Sequence, residues 1–340
     1  MISWMAPVVY ARCMDTDERS LLATLAYYSA LRWPLTISEL LERRIPSTRF
    51  GAHGNESSTL DTLMARLEAL HATGRIRASS GLYIVGPTPD DFVAHRTHRQ
   101  ALSAQKWRQM LRRAQWFQTV PFVRMMSASG SLAMSSSSAQ SDWDMFVVVK
   151  SGRIYTARAG LLVVAWLLGR LRTKEMRSAP DRFCFNHIIT TDGLSLRHRS
   201  LYTAHAIAWH IPFYDPWGYA VRFRQANDWV KHYVTHSMDQ SFVHRSVPRS
   251  RVLGVIRWLG EFVLSSPFGA LVEYVVRRWM QDRIETNPET HTRSGRIVAN
   301  DRELEFHPHS FEATALGRYN AFLSRWGMSQ FAERDSGLTH

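Results

Sequence analysis

Asp142 and Asp144 stand one residue apart in the run Ser141-Asp142-Trp143-Asp144. Side chains alternate along a strand, so this spacing sets both carboxylates on one face, ~6–7 Å apart at the backbone. The stretch Trp143–Val149 is apolar on both faces and predicts a central, buried strand. Burying two carboxylates there is costly without a compensating charge. Magnesium, or manganese in its place, supplies that charge and leaves room for phosphate oxygens. Two such ions ~4 Å apart would activate an attacking group and steady a leaving pyrophosphate.

Upstream, Ser129-Gly130-Ser131 follows a predicted strand over Phe122–Ser127. Gly130 lets the backbone approach a phosphate and Ser131 offers a hydroxyl. A helix opening over Leu132–Ser136 would add its N-terminal amides. The Gly-Ser turn is thus expected to hold phosphates and the aspartates a metal. Lys150 and Arg153 follow the aspartate strand by a short turn. They are expected either to stabilise leaving pyrophosphate or to form a solvated basic turn.

The chain around these residues has 340 residues and a net charge of +13, with only four lysines (Lys106, Lys150, Lys174 and Lys231). Such a charge attracts polyanions without choosing among nucleic acid, nucleotides and anionic membrane. Two cysteines, Cys13 and Cys184, form no CxxC pair, so a thiolate zinc site is not expected and a reducing, cytoplasmic setting fits. The N-terminus lacks a basic segment ahead of its apolar residues, which argues against a signal peptide. The longest apolar run, Gly160–Gly169, is too short for a span of ~20 residues. Val252–Val276 is apolar but interrupted by Arg257, Glu261 and Glu273, which predicts a packed amphipathic helix pair, with membrane-surface contact as the lesser reading.

The positioning elements follow from periodicity. Residues 17–88 read as a winged-helix domain: a helix over Glu18–Leu31, a second opened by a Thr36–Glu39 capping box, a loop over Arg49–Ser58, a third helix over Thr59–Thr73 and a hairpin about Ser80-Gly81. The third helix mixes Arg66 with Asp61 and Glu68, which favours a packing module over a DNA reader. Residues 89–119 read as a connecting basic helix carrying Arg96, Arg99, Lys106, Arg108, Arg112 and Arg113. Its Trp107, Trp116 and Phe117 are expected to dock on the next domain. Residues 120–200 form an α/β core with a further strand over Phe183–Thr190 and a paired strand over Leu194–Arg197. Residues 201–330 read as a helical C-terminal domain with a polar loop over Thr286–Gly295. The expected class is α+β, a small mixed sheet flanked by helices.

The order Ser129-Gly130-Ser131, then Ser141-Asp142-Trp143-Asp144-Met145-Phe146, resembles the signature of the DNA polymerase β-like nucleotidyltransferase superfamily. Cys184-Phe185-Asn186, Leu201-Tyr202-Thr203-Ala204-His205, Asn227-Asp228-Trp229-Val230 and Phe306-His307-Pro308 resemble an uncharacterised bacterial branch of it, and the likeness covers most of residues 20–325. The resemblance implies magnesium dependence and transfer of a nucleoside monophosphate from an NTP, with ATP expected, to an acceptor it does not name. It also implies a third carboxylate on a later strand. Here Asn186 stands at the plausible place, and an amide cannot take a proton at neutral pH. Either Asp181 or Asp192 substitutes, or the base is missing.

Other residues have smaller claims. His187 is a candidate acid–base residue or a hydrogen-bonded core histidine. His205 and His210 are candidates to line a cleft, but not as a metal pair. His307-Pro308-His309 resembles a ligand pair only superficially. Asn227 and Trp229 could reach a base, although Trp217 and Trp229 are more often core aromatics. The expected function is a magnesium-dependent nucleotidyltransferase with Asp142, Asp144 and Asn186 at its centre and an unidentified, preferably anionic acceptor. The alternative is a winged-helix regulator that senses nucleotide without turnover and binds nucleic acid through its basic surface.

Overall fold

The computed structural model describes residues 14–52, 59–86, 91–173, 176, 178–235, 245–287, 295–308 and 310–333. Cys13, residues 53–58 and 288–294 of the two expected loops, Lys174 and His309 lie outside them. The described chain is a mixture of α and β structure built on two sheets.

The N-terminal unit holds helices α1 (Thr16–Ala30), α2 (Ile37–Arg43) and α3 (Leu60–Ala72) and strands β1 (Leu35–Thr36), β2 (Arg77–Ser79) and β3 (Leu82–Ile84). Local chemistry sets its joints. Asp15 caps α1 by accepting from the Glu18 amide at 2.7 Å. Thr36 and Glu39 form the reciprocal capping box of α2. Ser80 and Gly81, both with positive φ, make the tight turn between β2 and β3. The three strands pair antiparallel in the order β1-β3-β2.

Helix α4 (Phe92–Ala114) leads to the central sheet. Its basic face is only partly solvated. Arg96 is buried over Trp33 at 3.8 Å and reaches Glu39 at 2.6 Å, and Lys106 is buried as well. Trp107 and Phe117 dock in the next core as expected, whereas Trp116 stays exposed.

The central sheet contains β4 (Val123–Ala128), β5 (Trp143–Val149), β6 (Phe183–Thr190), β7 (Ile211–Tyr214), β8 (Arg296–Ala299) and β9 (Glu303–His307), in the order β7-β4-β5-β6-β9-β8. β5 and β6 are parallel, and every other neighbouring pair is antiparallel. On one face Trp143, Met145, Val147 and Val149 pack under helix α6 (Ile154–Leu167). On the other, Phe146 and Val148 pack with helices α7 (Leu201–Ala208) and α8 (Tyr219–Ala226). Helix α5 is the single turn Gly130–Ala133.

The reading of residues 201–330 as a helical domain is corrected. Three of the six strands come from that region, and its last helix, α11 (Glu312–Arg325), contributes Leu316, Tyr319 and Leu323 to the core of the N-terminal unit. β7 carries Pro212 and sits at one edge of the sheet, where a missing amide is tolerated. Leu194–Arg197 forms no strand; Asn227 holds it instead, accepting from the Leu196 amide at 2.9 Å and donating to the Leu194 carbonyl at 2.7 Å. The helix pair expected over residues 252–276 is present as α9 (Arg251–Leu264) and α10 (Pro267–Glu285), but it is not packed as expected: α9 buries none of its residues and turns its apolar side chains to solvent. No single helix among the described residues is long and apolar enough to cross a membrane.

Candidate functional site

The Gly-Ser turn is fitted to Asp144. Ser129 is extended, and its amide donates to the Asp144 carbonyl at 3.0 Å. Gly130 then takes φ +56, and a Cβ there would lie 2.5 Å from Asp144 Oδ2. Both the backbone conformation and the close approach require glycine. Trp107 Nε1 fixes the far end of the turn by donating to the Leu132 carbonyl at 3.0 Å.

Across the sheet, Asp144 is registered with Cys184, but Phe146 is registered with His187. β6 therefore carries one extra residue opposite Met145, a bulge of the kind that re-aims side chains. Asn186 Nδ2 donates to Asp144 Oδ1 at 2.8 Å, and the His187 ring stands edge-on to Phe146. Asp142 is ion-paired to Arg172. One ligand atom each of Asp142, Asp144 and Cys184 can gather within 4.8 Å of one another.

Burial, and then the Asp142 charge, push the Asp144 carboxyl up to about 7, against the opposing pull of Arg172 and Asn186. Burial, and then the charges of Asp144 and Asp142, also push the Cys184 thiol well up. The two crowded carboxylates lack matching positive charge and fit a hard divalent cation. Arg172 supplies part of that charge, and its side chain, 40% exposed, can withdraw to solvent.

A cavity of about 280 Å³ opens over Ser129, Gly130, Asp144 and Asn186. This is at the lower end of small-molecule sites, enough for one part of a nucleotide. Its far wall carries residues that the sequence reading did not select, Glu305 on β9 and Glu312 at the start of α11. Glu305 pairs with Arg296 at 2.9 Å, and Glu312 accepts from His198 at 3.0 Å. The alternation in Glu303–His307, which sets Glu303, Glu305 and His307 on one face, was the available signal. His187 also lines the cavity, with its Nε2 at 3.0 Å from Glu303.

Other expected residues lie elsewhere. Ser131 does not line the cavity, although Ser129 and Gly130 do. Lys150 and Arg153 are not at the phosphate end. Lys150 is six residues beyond Asp144 along the strand, about 20 Å away. Lys150 Nζ lies 5.8 Å from the Phe122 ring, and Arg153 donates to the Gly269 carbonyl at 2.7 Å. Asp181 is held by Lys106 at 2.7 Å, and Asp192 lies 3.6 Å from Arg302 past the far end of β6. Neither supplies the third carboxylate. His210 and His307 line the cavity, whereas His205 faces the N-terminal unit and bonds Tyr28. Asn227 is buried in the loop contacts described above and Trp229 is a core aromatic, so neither reads a base.

No family model, no curated protein and no solved structure matches this chain.

Proposed function

We propose that the chain is a magnesium-dependent nucleotidyltransferase acting on an NTP, with ATP as the expected nucleotide. The observation that carries this reading is the seat of Asp144 between the Gly130 backbone and Asn186, in the lining of the cavity, with Asp142 beside it but outside that lining. Asp142 and Asp144 hold the metal, which when bound supplies Lewis-acid stabilisation of the phosphates. The Ser129-Gly130 backbone holds the phosphate end. His187, oriented by Glu303, takes the acceptor's proton in place of the missing third carboxylate on β6. The acceptor's oxygen or nitrogen attacks the α-phosphorus, the bond to the β-phosphate oxygen breaks, and pyrophosphate leaves.

The three N-terminal helices and the strand order β1-β3-β2 support a winged helix. They do not favour the regulator reading. On α3, Arg66 is turned to Asp15 at 2.6 Å, and Asp61 and Glu68 are exposed. A helix presenting carboxylates repels a phosphate backbone. The decisive experiment incubates the chain with ATP labelled at the α-phosphate, Mg²⁺ and fractionated cell extract. Label is expected on an acceptor with the native chain and not with Asp144→Asn. Equal labelling by the two, or none by either, defeats the enzyme reading.

A further inference from the structure

We propose that the outward face of α6, α9 and α10 docks on an anionic phospholipid bilayer. Helix α9 is amphipathic in the inverse sense. Val252, Val255, Ile256, Leu259, Phe262 and Val263 recur at helical spacing and are 49–70% exposed. The polar residues face inward: Glu261 accepts from the Phe122 amide at 2.9 Å and from Arg124 at 2.8 Å. Helix α10 repeats the pattern. Phe268, Leu271, Val275 and Trp279 point outward, while Glu273 caps α6 by accepting from the Tyr155 and Thr156 amides at 3.0 and 2.8 Å. On α6, Val163, Trp166 and Leu167 extend the surface, and Trp166 and Trp279 border one shared groove of about 500 Å³. Surface helices ordinarily bury the apolar stripe, and an exposed apolar area spread over three helices marks an interaction face.

Charge selects the occupant. The exposed charged residues of α9 and α10 are Arg251, Arg278 and Arg283, with Asp282 and Glu285 confined to the last turn of α10, so the apolar stretch from Arg251 to Trp279 carries arginine and no exposed carboxylate. A second copy would oppose arginine to arginine, whereas anionic headgroups meet them. Trp166, Trp258, Tyr274 and Trp279 are the side chains that settle at a headgroup boundary. Neither α9 nor α10 alone is long and apolar enough to cross a membrane; together they are, but they bend by 90° at the join. The bend and the fixed inner face suit helices lying in the interface, not crossing it. The cavity of Asp144 lies on the other face of the sheet, so docking leaves it open.

The test is flotation of the full chain with phosphatidylcholine vesicles, with and without phosphatidylglycerol. The chain is expected to float with the anionic vesicles, less so as salt rises, with a blue shift of tryptophan emission. Leu259→Asp with Phe262→Asp should lower partitioning by about tenfold or more. Both side chains are half or more exposed, so urea midpoints should match the native chain. Arg251→Glu with Arg278→Glu should weaken binding to anionic vesicles. A chain that stays unbound on both vesicle types overturns the proposal. So does concentration-dependent dimerisation, without vesicle binding, that the aspartate pair dissolves.

Discussion

Asn186 Nδ2 donates to Asp144 Oδ1 at 2.8 Å across the bulged β5–β6 pair, so an amide stands where a further carboxylate would complete an acidic cluster. It quiets Asp144 without adding charge. Asn186→Asp replaces a donor by a like charge beside Asp142 and Asp144. In EDTA the variant should lose about 1–3 kcal/mol of stability. Mg²⁺ should restore more of that loss than it adds to the native chain. Urea unfolding in the two buffers measures both. A loss independent of Mg²⁺ would mean that the carboxylates do not share a cation.

Gly130 and Gly218 both have positive φ, +56 and +71, but only Gly130 faces a carboxylate. Alanine at either carries backbone strain of about 1–2 kcal/mol. At Gly130 the added methyl must also displace Asp144 Oδ2. Gly130→Ala is therefore expected to lower Mg²⁺-dependent nucleotide binding at least about tenfold, while Gly218→Ala keeps it. Isothermal titration of both variants compares them directly, and equal affinities would remove Gly130 from the site.

Lys106 reaches Asp181 at 2.7 Å and also donates to the Ser141 carbonyl at 2.9 Å and the Ala139 carbonyl at 3.2 Å. It clamps the loop that delivers Asp142. Lys106→Met frees that loop and removes the charged partner of the part-exposed Asp181, at a cost of about 1.5–3 kcal/mol. Asp181→Asn leaves the two carbonyl bonds in place. It should cost stability yet preserve Mg²⁺ affinity, whereas Asp142→Asn should lose that affinity. Thermal melts with and without Mg²⁺ separate the three. Loss of the Mg²⁺ response in Asp181→Asn would return Asp181 to the metal site.

These residues also show where sequence reading succeeds and stops. Trp143–Val149 and Phe183–Thr190 were legible to the residue because both are apolar runs bounded by charge or turn residues. The Thr36 cap was legible because its chemistry is local. β9 was not. Its Glu305 and His307 line the cavity, Glu303 on the same face bonds His187, and the three gave the strand a polar look. Lys150 and Arg153 were misplaced because closeness in sequence hid the length of a seven-residue strand lying between them and Ser141. Asp181 was offered as a ligand because its partner, Lys106, lies 75 positions away. The outward stripe of α9 was legible as amphipathic, but periodicity cannot say which face a helix turns to solvent.

His205 gives the last prediction. It is buried between Tyr27, which stacks at 4.4 Å between ring centres, and the Tyr28 hydroxyl at 2.9 Å from Nδ1. Burial, helped by the charges of Arg43 and Arg49, pulls its pKa from 6.5 down to about 3. The folded chain therefore keeps it neutral where the unfolded chain protonates it. Between pH 6.5 and about 3 the unfolded state binds the extra proton, so stability falls as pH drops through that window. At pH 5 the cost is about 2 kcal/mol relative to neutral pH. His205→Gln keeps a polar partner for Tyr28 and removes the titration. Its urea stability should lie below that of the native chain at pH 7.5, and the gap should shrink by about 2 kcal/mol at pH 5. A gap that stays constant between the two pH values would show that His205 is protonated in the fold and that the packing of the N-terminal unit on α7 does not depend on a neutral imidazole.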